Sequence, residues 1–365
     1  MVCLIYNYAQ HYRGGIFKAL DKDLKIESYF GDKMGDIKKL DYNELNYFKK
    51  ELTNINLMPP FYWQKGVLNL LFKPYNSYIF LGEYYCLSTW LFLLLAKFSE
   101  KKIVLWTHGW YGNESFLKKI IKKTFFKLSD SILLYGDYAK SLMVNEGFDE
   151  KKLHVIYNSL DYYSQIEIRN KLKVTNVFSN HFQNNYPVLL FIGRLTEVKK
   201  LDYVIKAQKD LIETGFPVNL VFIGTGVAEE NLKNFVVESK TESMTWFYGS
   251  CYDEAQIGNL IYNADICVSP GNVGLTAMHS MVYGTPVISH DNFPLQMPEF
   301  EAIVKGETGD FFKYDDISSL TDKIRNWLKT NTDRNSIRNK CFNRIDNYFN
   351  PNFQLKIIKS VLNEK

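Results

Sequence analysis

Residues 265–288 read DICVSPGNVGLTAMHSMVYGTPVI. Asp265–Ser269 is a short apolar run stopped by Pro270 and Gly271, as a buried strand would be. Leu275, Met278 and Val282 then recur at i, i+3 and i+7, so Leu275–Tyr283 reads as a helix. Gly284 stands where a helix C-cap needs positive φ, and Pro286-Val-Ile starts a second strand. A strand, a glycine-bearing turn and a helix can aim free backbone N–H groups at an anion, here those of Val273, Gly274 and Leu275. The pattern suits an ordinary strand–helix–strand unit of a parallel sheet equally well.

The surrounding chain repeats the theme. Val188–Ile192 is a strand followed by Gly193-Arg194 and, five residues after the arginine, Lys199. Two cations beside a glycine at a helix start make a diphosphate clamp, because arginine can chelate two oxygens while lysine acts as a point charge. Val218–Ile223 runs into Gly224-Thr225-Gly226, another turn open to phosphate. In the first half, strands are expected at Val2–Tyr6, Leu24–Phe30, Tyr78–Leu81, Ile103–Trp106, Ser131–Tyr135 and Leu153–Tyr157. A polar helix is expected at Asp41–Leu52 and an all-round apolar helix, packed between layers, at Ser88–Phe98. Gly14 and Gly15 lie at a strand-to-helix turn, where small residues permit close approach to a ligand. His11, Tyr12 and Arg13 crowd the same turn. His108 follows a strand at the end where open α/β sheets bind ligands; a hydrogen-bonded loop histidine is the plainer reading.

Strands and helices alternate throughout, which points to two doubly wound α/β domains facing each other. Their expected limits are 1–165 and 166–345, with 346–365 a C-terminal helix that crosses back to the first domain. Aromatics make up 16% of the 365 residues, and the net charge of +4 gives no argument for nucleic acid. The charge is uneven: 22 basic against 17 acidic residues in 1–165, leaving 22 against 23 beyond. The excess gathers in Phe116–Leu128, where Lys118, Lys119, Lys122, Lys123 and Lys127 accompany an apolar face. A basic amphipathic helix suits an anionic membrane surface, or is simply a solvated lysine face. Five scattered cysteines without a CxxC fit reduced thiols in the cytoplasm, and the N-terminus lacks the pattern of a signal peptide. No HxxxH or GxSxG occurs and the six histidines are dispersed, so no metal site is expected.

The ordered segments FIGRLTEVKKLDYVIKAQ, VFIGTGVAEE, ADICVSPGNVGLTAMHS and YGTPVIS resemble the C-terminal signature of family 4 of the retaining GT-B glycosyltransferases. That family carries G-R-L-x-x-x-K-G, a glycine turn, A-D-x-x-x-x-P-S, E-G-F-G-L-x-x-x-E-A and G-x-P-V-I in this order. The likeness is dense from 188 to 312 and looser before 165. It implies a GT-B fold, two Rossmann-like domains facing across a cleft, and a metal-independent retaining transfer of a sugar. The donor would be a nucleotide sugar, UDP- or GDP-linked, with no other cofactor. The acceptor would be a glycan or lipid-linked glycan, taken by the first domain through His11, Tyr12 and Arg13, at the inner face of the cytoplasmic membrane.

By the resemblance, Arg194 and Lys199 hold the donor diphosphate and stabilise its departure. Gly193, Gly224, Gly226, Val273, Gly274 and Leu275 line its phosphates, Gly14 and Gly15 approach them, and Glu301 lies near the nucleotide. His108 positions the reacting sugar. Three positions depart from the family. Gly271 and His279 stand where it has two glutamates, leaving His279 to hydrogen-bond a ribose, and Lys200 replaces a glycine. Two rival readings keep the fold: a nucleotide-sugar epimerase or hydrolase, and a non-catalytic nucleotide-sugar-binding subunit.

Overall fold

The computed structural model describes every residue except Met34, Asp36 and Lys365. The chain divides into two compact units, Met1–Asp161 with Asn350–Lys365, and Tyr162–Phe349.

The first unit runs β1 (Val2–Tyr6), α1 (Gly14–Leu24), β2 (Glu27–Gly31), β3 (Phe48–Asn56), β4 (Tyr62–Lys65), β5 (Ser77–Leu81) and α2 (Leu87–Ala96). It continues with β6 (Lys102–Thr107), α3 (Phe116–Phe126), β7 (Ser131–Leu134), α4 (Asp137–Asn145) and β8 (Leu153–Val155). The sheet order is β4-β3-β2-β1-β5-β6-β7-β8, and only β4 is antiparallel, paired to β3. The strand order reverses between β1 and β5, which leaves a crevice beyond their C-terminal ends. The strands need no alternation here: Leu4, Ile5, Phe80, Val104 and Leu105 are all buried because helices cover both faces.

The expected helix over Asp41–Leu52 is not formed. Phe48–Asn56 instead extends the sheet beside β2, and only Tyr42–Glu44 makes a helical turn. Phe48 stacks on Tyr42, with ring centroids 4.0 Å apart, so tertiary packing overrides the polar helical composition. The helix expected to be packed all round is also different: Leu87, Leu91, Leu94 and Leu95 of α2 are exposed.

The second unit begins with α5 (Tyr162–Arg169) and α6 (Val177–Phe182). Then come β9 (Val188–Ile192), α7 (Asp202–Glu213), β10 (Asn219–Ile223), α8 (Glu229–Ser239), β11 (Thr245–Gly249) and α9 (Glu254–Asn263). β12 (Ile266–Ser269), α10 (Thr276–Val282), β13 (Val287–His290), β14 (Gly309–Phe312), α11 (Ile317–Thr330) and α12 (Arg334–Tyr348) complete it. All six strands are parallel, in the order β11-β10-β9-β12-β13-β14, with the switch point between β9 and β12. β9 is buried at every position, as a central parallel strand should be. Asp253 caps α9 by accepting from the N–H groups of Ala255 and Gln256, and Asp316 caps α11.

The last helix, α13 (Pro351–Asn363), is capped by Asn350 with proline at its first position and belongs to the first unit. Its Ile358 and Val361 join Leu4, Ile16 and Leu20 in one buried cluster.

Candidate functional site

In the second unit the candidate site gathers at the C-terminal ends of β9, β10 and β12. Gly193 leaves β9 at φ 145° and Gly224 leaves β10 at φ 133°. A Cβ on Gly224 would lie 2.0 Å from the Gly193 carbonyl oxygen, and one on Gly226 2.2 Å from that of Leu195. These glycines therefore let the two turns lie backbone to backbone, tied by Leu195 N–H to Thr225 O at 3.0 Å. A cavity of about 240 Å³ opens beside them, lined by Gly193, Arg194, Gly224, Thr225, Cys251 and Tyr252 among others. Arg194 is exposed there, and no hydrogen bond or ion pair engages its guanidinium among the described residues.

Lys199 is fixed more tightly. Its Nζ donates to the backbone oxygen of Asn272 at 2.6 Å and to Asn272 Oδ1 at 2.8 Å. Burial lowers the pKa of its ammonium, and the charge of Glu299 opposes that shift. Glu299, not Glu301, is thus the carboxylate electrostatically coupled to the clamp lysine; it is buried on the turn Pro298–Ala302. Glu301 is half-buried, and its carbonyl accepts from Arg344 Nη2 at 2.7 Å.

The turn before α10 departs from expectation at Val273. Its N–H is buried and donates to Gln296 Oε1 at 2.8 Å, so it is not a free phosphate donor. Gln296 in turn donates to Ser289 Oγ at 2.8 Å and His290 O at 3.1 Å, which locks the turn onto β13. The N–H groups of Gly274 (φ 52°) and Leu275 make no hydrogen bond among the described residues. The absence of the family's glutamate at 271 also has a physical reason. A Cβ on Gly271 would lie 2.1 Å from the Val198 carbonyl oxygen, so the turn carrying Lys199 fills the space.

His279 does not face an open ribose site alone. Its Nε2 lies 2.9 Å from Glu254 Oε1, which also accepts from Tyr283 Oη at 2.8 Å and Gln165 Nε2 at 2.9 Å. Burial raises the Glu254 carboxyl pKa, but the bond and charge of His279 and the bonds from Gln165 and Tyr283 outweigh it, and the group is held at about 2. Glu254, Gln296 and Glu299 carried no sequence signal, because each acts through a partner distant in the chain.

The first unit has its own cavity, about 280 Å³, at the β1/β5 switch point; Tyr6, Tyr12, Arg13, Glu83, His108 and Tyr135 are among its walls. His108 follows β6, its Nδ1 buried without a hydrogen-bond partner. Burial, with the charges of Arg13 and Lys122, pushes its pKa down to about 3, so the imidazole is neutral at neutral pH. Tyr12 and Arg13 line the cavity, whereas His11 points to Lys38 O at 3.2 Å and is exposed. Gly14 and Gly15 do not form a loop. They open α1, buried, and a Cβ on Gly15 would meet Leu160 O and Pro351 Cγ at 3.1 Å. Their smallness serves packing inside this unit.

The lysines of α3 are also placed differently from expectation. Lys122 is buried; its Nζ donates to Gly109 O and Glu114 Oε1, both at 2.6 Å, and lies 4.7 Å from the Trp110 ring. Lys119 pairs with Glu146 Oε1, and Lys123 donates to Glu146 O. Lys118 and Lys127 remain unpaired among the described residues. Phe116, Leu117, Ile120 and Ile121 are the exposed face instead. No helix among the described residues is long and apolar enough to cross a membrane. Nor do three His, Cys, Asp or Glu side chains come together there as a metal site would need.

Comparison with known proteins agrees with the fold. Residues 173–344 match the model of the glycosyl transferases group 1 family. An uncharacterized 41.2 kDa protein in the cps region of Klebsiella pneumoniae is 24% identical over 205 residues, 55% of this chain and 53% of that protein. An uncharacterized glycosyltransferase of Methanocaldococcus jannaschii is 28% identical over 143 residues, 38% of this chain and 36% of that one. The chain thus spans about half or less of the length of these two relatives. Anabaena HepE in complex with UDP superposes with a TM-score of 0.73 at 15% identity, covering 99% of both chains. The lipopolysaccharide outer core galactosyltransferase WaaB does so with 0.70 at 16% identity, again over 99% of both. The chain therefore carries a glycosyl transferases group 1 domain over residues 173–344 and has the GT-B fold.

Proposed function

We propose that this chain is a glycosyltransferase that moves a sugar from a nucleotide sugar to a glycan or lipid-linked glycan in surface polysaccharide synthesis, with retention and without a metal. The observation that carries this reading is the pairing at the β9/β12 switch point of an unengaged guanidinium, Arg194, with Lys199, whose ammonium Asn272 holds in place. As the bond from the anomeric carbon to the diphosphate breaks, negative charge grows on the leaving oxygen. The fixed Lys199, the free guanidinium of Arg194 and the N–H groups of Gly274 and Leu275 would stabilise that charge. The neutral His108 would orient the sugar or acceptor by hydrogen bonding and not by charge. The relative in a cps region and the structural likeness to a lipopolysaccharide galactosyltransferase support the polysaccharide context. HepE structures with UDP and UDP-glucose support a UDP-linked donor; a GDP-linked one is the alternative.

The experiment is a thermal-shift series with UDP, GDP, ADP and CMP, followed by turnover of Arg194→Ala and Lys199→Ala. A nucleoside diphosphate that binds the native state raises its melting temperature. Near-normal turnover in both variants would overturn the clamp. Fast donor consumption without acceptor would favour an epimerase or hydrolase, and binding without any turnover a non-catalytic subunit.

A membrane-facing role for the first unit rests on α2 and α3, which meet through Trp90 and Phe125, ring centroids 4.9 Å apart. Both expose large apolar residues, Leu91, Leu94 and Phe98 beside Phe116, Leu117 and Ile120. With Lys118 and Lys127 nearby, this face would sit on an anionic lipid surface at the cytoplasmic side, held more by apolar insertion than by charge. Phe116→Ser with Leu117→Ser should release the protein from anionic liposomes; unchanged sedimentation with the vesicles would remove this face from the account.

A further inference from the structure

The cavity of the first unit is built around a buried charge, Arg13, that has no ion-pair partner among the described residues. Arg13 is only 6% exposed, yet no carboxylate pairs with it among the described residues. Its Nη1 donates to Tyr6 Oη at 2.8 Å. Its guanidinium carbon lies 5.6, 5.7 and 5.0 Å from the ring centroids of Tyr6, Trp106 and Tyr135. These partners are neutral. Cation–π contacts offset part of the desolvation of a buried guanidinium, but a whole unit charge remains.

No other ionisable group of the cavity forms an ion pair with it among the described residues. Lys122 and Glu114 neutralise each other at 2.6 Å. His108 is uncharged, with Nδ1 buried and unpartnered. Glu83 accepts from Tyr62 Oη at 2.8 Å and Asn7 Nδ2 at 3.3 Å and makes no ion pair with Arg13. At about 280 Å³ the space is at the small end for ligand pockets, which suits one substituted sugar ring. A guanidinium has five N–H donors in a planar fork that matches a carboxylate or phosphate, and its bonds to Tyr6 and Tyr135 leave others over.

Building on the glycosyltransferase reading, we propose that the acceptor carries an oxyanion, the carboxylate of a uronic acid or a phosphate ester, which seats against Arg13 in this cavity. Arg13 then sets acceptor specificity, and the tyrosine hydroxyls and His108 Nδ1 take the neighbouring polar groups of the same ring. A neutral sugar leaves the guanidinium buried and uncompensated, so it binds more weakly.

The test uses the full chain with glucuronate, glucose 6-phosphate, glucose and UDP, each read by thermal shift and calorimetry. Glucuronate or glucose 6-phosphate should bind the parent at least tenfold more tightly than glucose, and which of the two binds separates carboxylate from phosphate. Arg13→Gln should lose that preference while binding UDP as the parent does. If Arg13→Gln does not fold, Arg13→Lys serves, since it keeps the charge and loses the fork; a several-fold loss of anion affinity is then expected. Equal binding of glucose and the two anions, or no binding of either anion, would overturn the inference. So would an Arg13 variant that loses UDP but keeps glucuronate, because the anion would then be the donor's diphosphate. If UDP itself fails to stabilise the parent, it is the glycosyltransferase reading that falls; if UDP binds and the anions do not, only this inference does.

Discussion

Restoring the family's glutamate at position 271 should damage the protein, not improve it. A Cβ there would sit 2.1 Å from Val198 O, 2.7 Å from Lys199 Cα and 2.8 Å from Lys199 C, all backbone atoms. Ordinary contact begins at 3.4 Å, so the Val198–Lys199 turn would have to retreat by about 1.3 Å. That turn accepts from Gly271 N–H at 2.9 Å and carries the lysine held by Asn272. Overpacking of this kind costs about 1–3 kcal/mol, and a buried hydrogen bond contributes about 1 kcal/mol more. The expected loss is therefore about 2–4 kcal/mol, or a melting temperature lowered by roughly 5–15 °C for a unit of this size. Gly271→Ala should lose nearly as much, because the clash arises at Cβ; Gly271→Glu adds a carboxylate beside the clamp and should also weaken UDP binding. Differential scanning calorimetry with a UDP titration decides it. A Gly271→Glu protein that melts with the parent and turns over donor faster would refute the steric reasoning.

Three further substitutions test separate parts of the account. Lys200 occupies the left-handed region at φ 48°, so Lys200→Gly should be more stable than Lys200→Ala by about 1 kcal/mol in urea unfolding; equal stability would show that no backbone strain is relieved. Lys122→Met strands the buried Glu114 carboxylate and should cost about 3–5 kcal/mol, against less than about 0.5 kcal/mol for Lys118→Gln. Equal effects would return Lys122 to the surface. Glu254 has its folded pKa held at about 2, below the ordinary 4.5, so its stabilisation is complete above pH 4.5 and fades as pH falls toward 2. With a third of its side chain exposed, Glu254→Gln should cost about 1–2 kcal/mol at pH 7, shrinking below pH 4.5; a deficit unchanged from pH 7 to pH 3 would contradict the linkage.

The fold was legible because its signals are local. Buried parallel strands such as Val188–Ile192 are continuous apolar runs, the turns after two of them are marked by Gly193 and Gly224 at positive φ, and Gly284 at positive φ ends α10. The succession of strand, turn and helix from 188 to 290 needs no knowledge of distant contacts. Composition misled where packing dominates. Asp41–Leu52 reads as a polar helix, yet Phe48–Asn56 completes a sheet because β2 and the ring of Tyr42 are there to receive it.

The site divides in the same way. By itself the sequence determined that Arg194 and Lys199 share a turn after a buried strand, since five residues of separation and one glycine suffice to place them. Only the tertiary structure decided which groups are free to act. Gln296 occupies the Val273 N–H from 23 residues away, Glu254 engages His279 from 25 away, and Glu114 draws Lys122 out of a face that looked basic. It also decided that position 271 holds glycine, because the carbonyl of Val198 stands where a side chain would begin. Burial and hydrogen-bond partnership are properties of neighbours in space, and neighbours in space are what the order of residues leaves unwritten until the chain has folded.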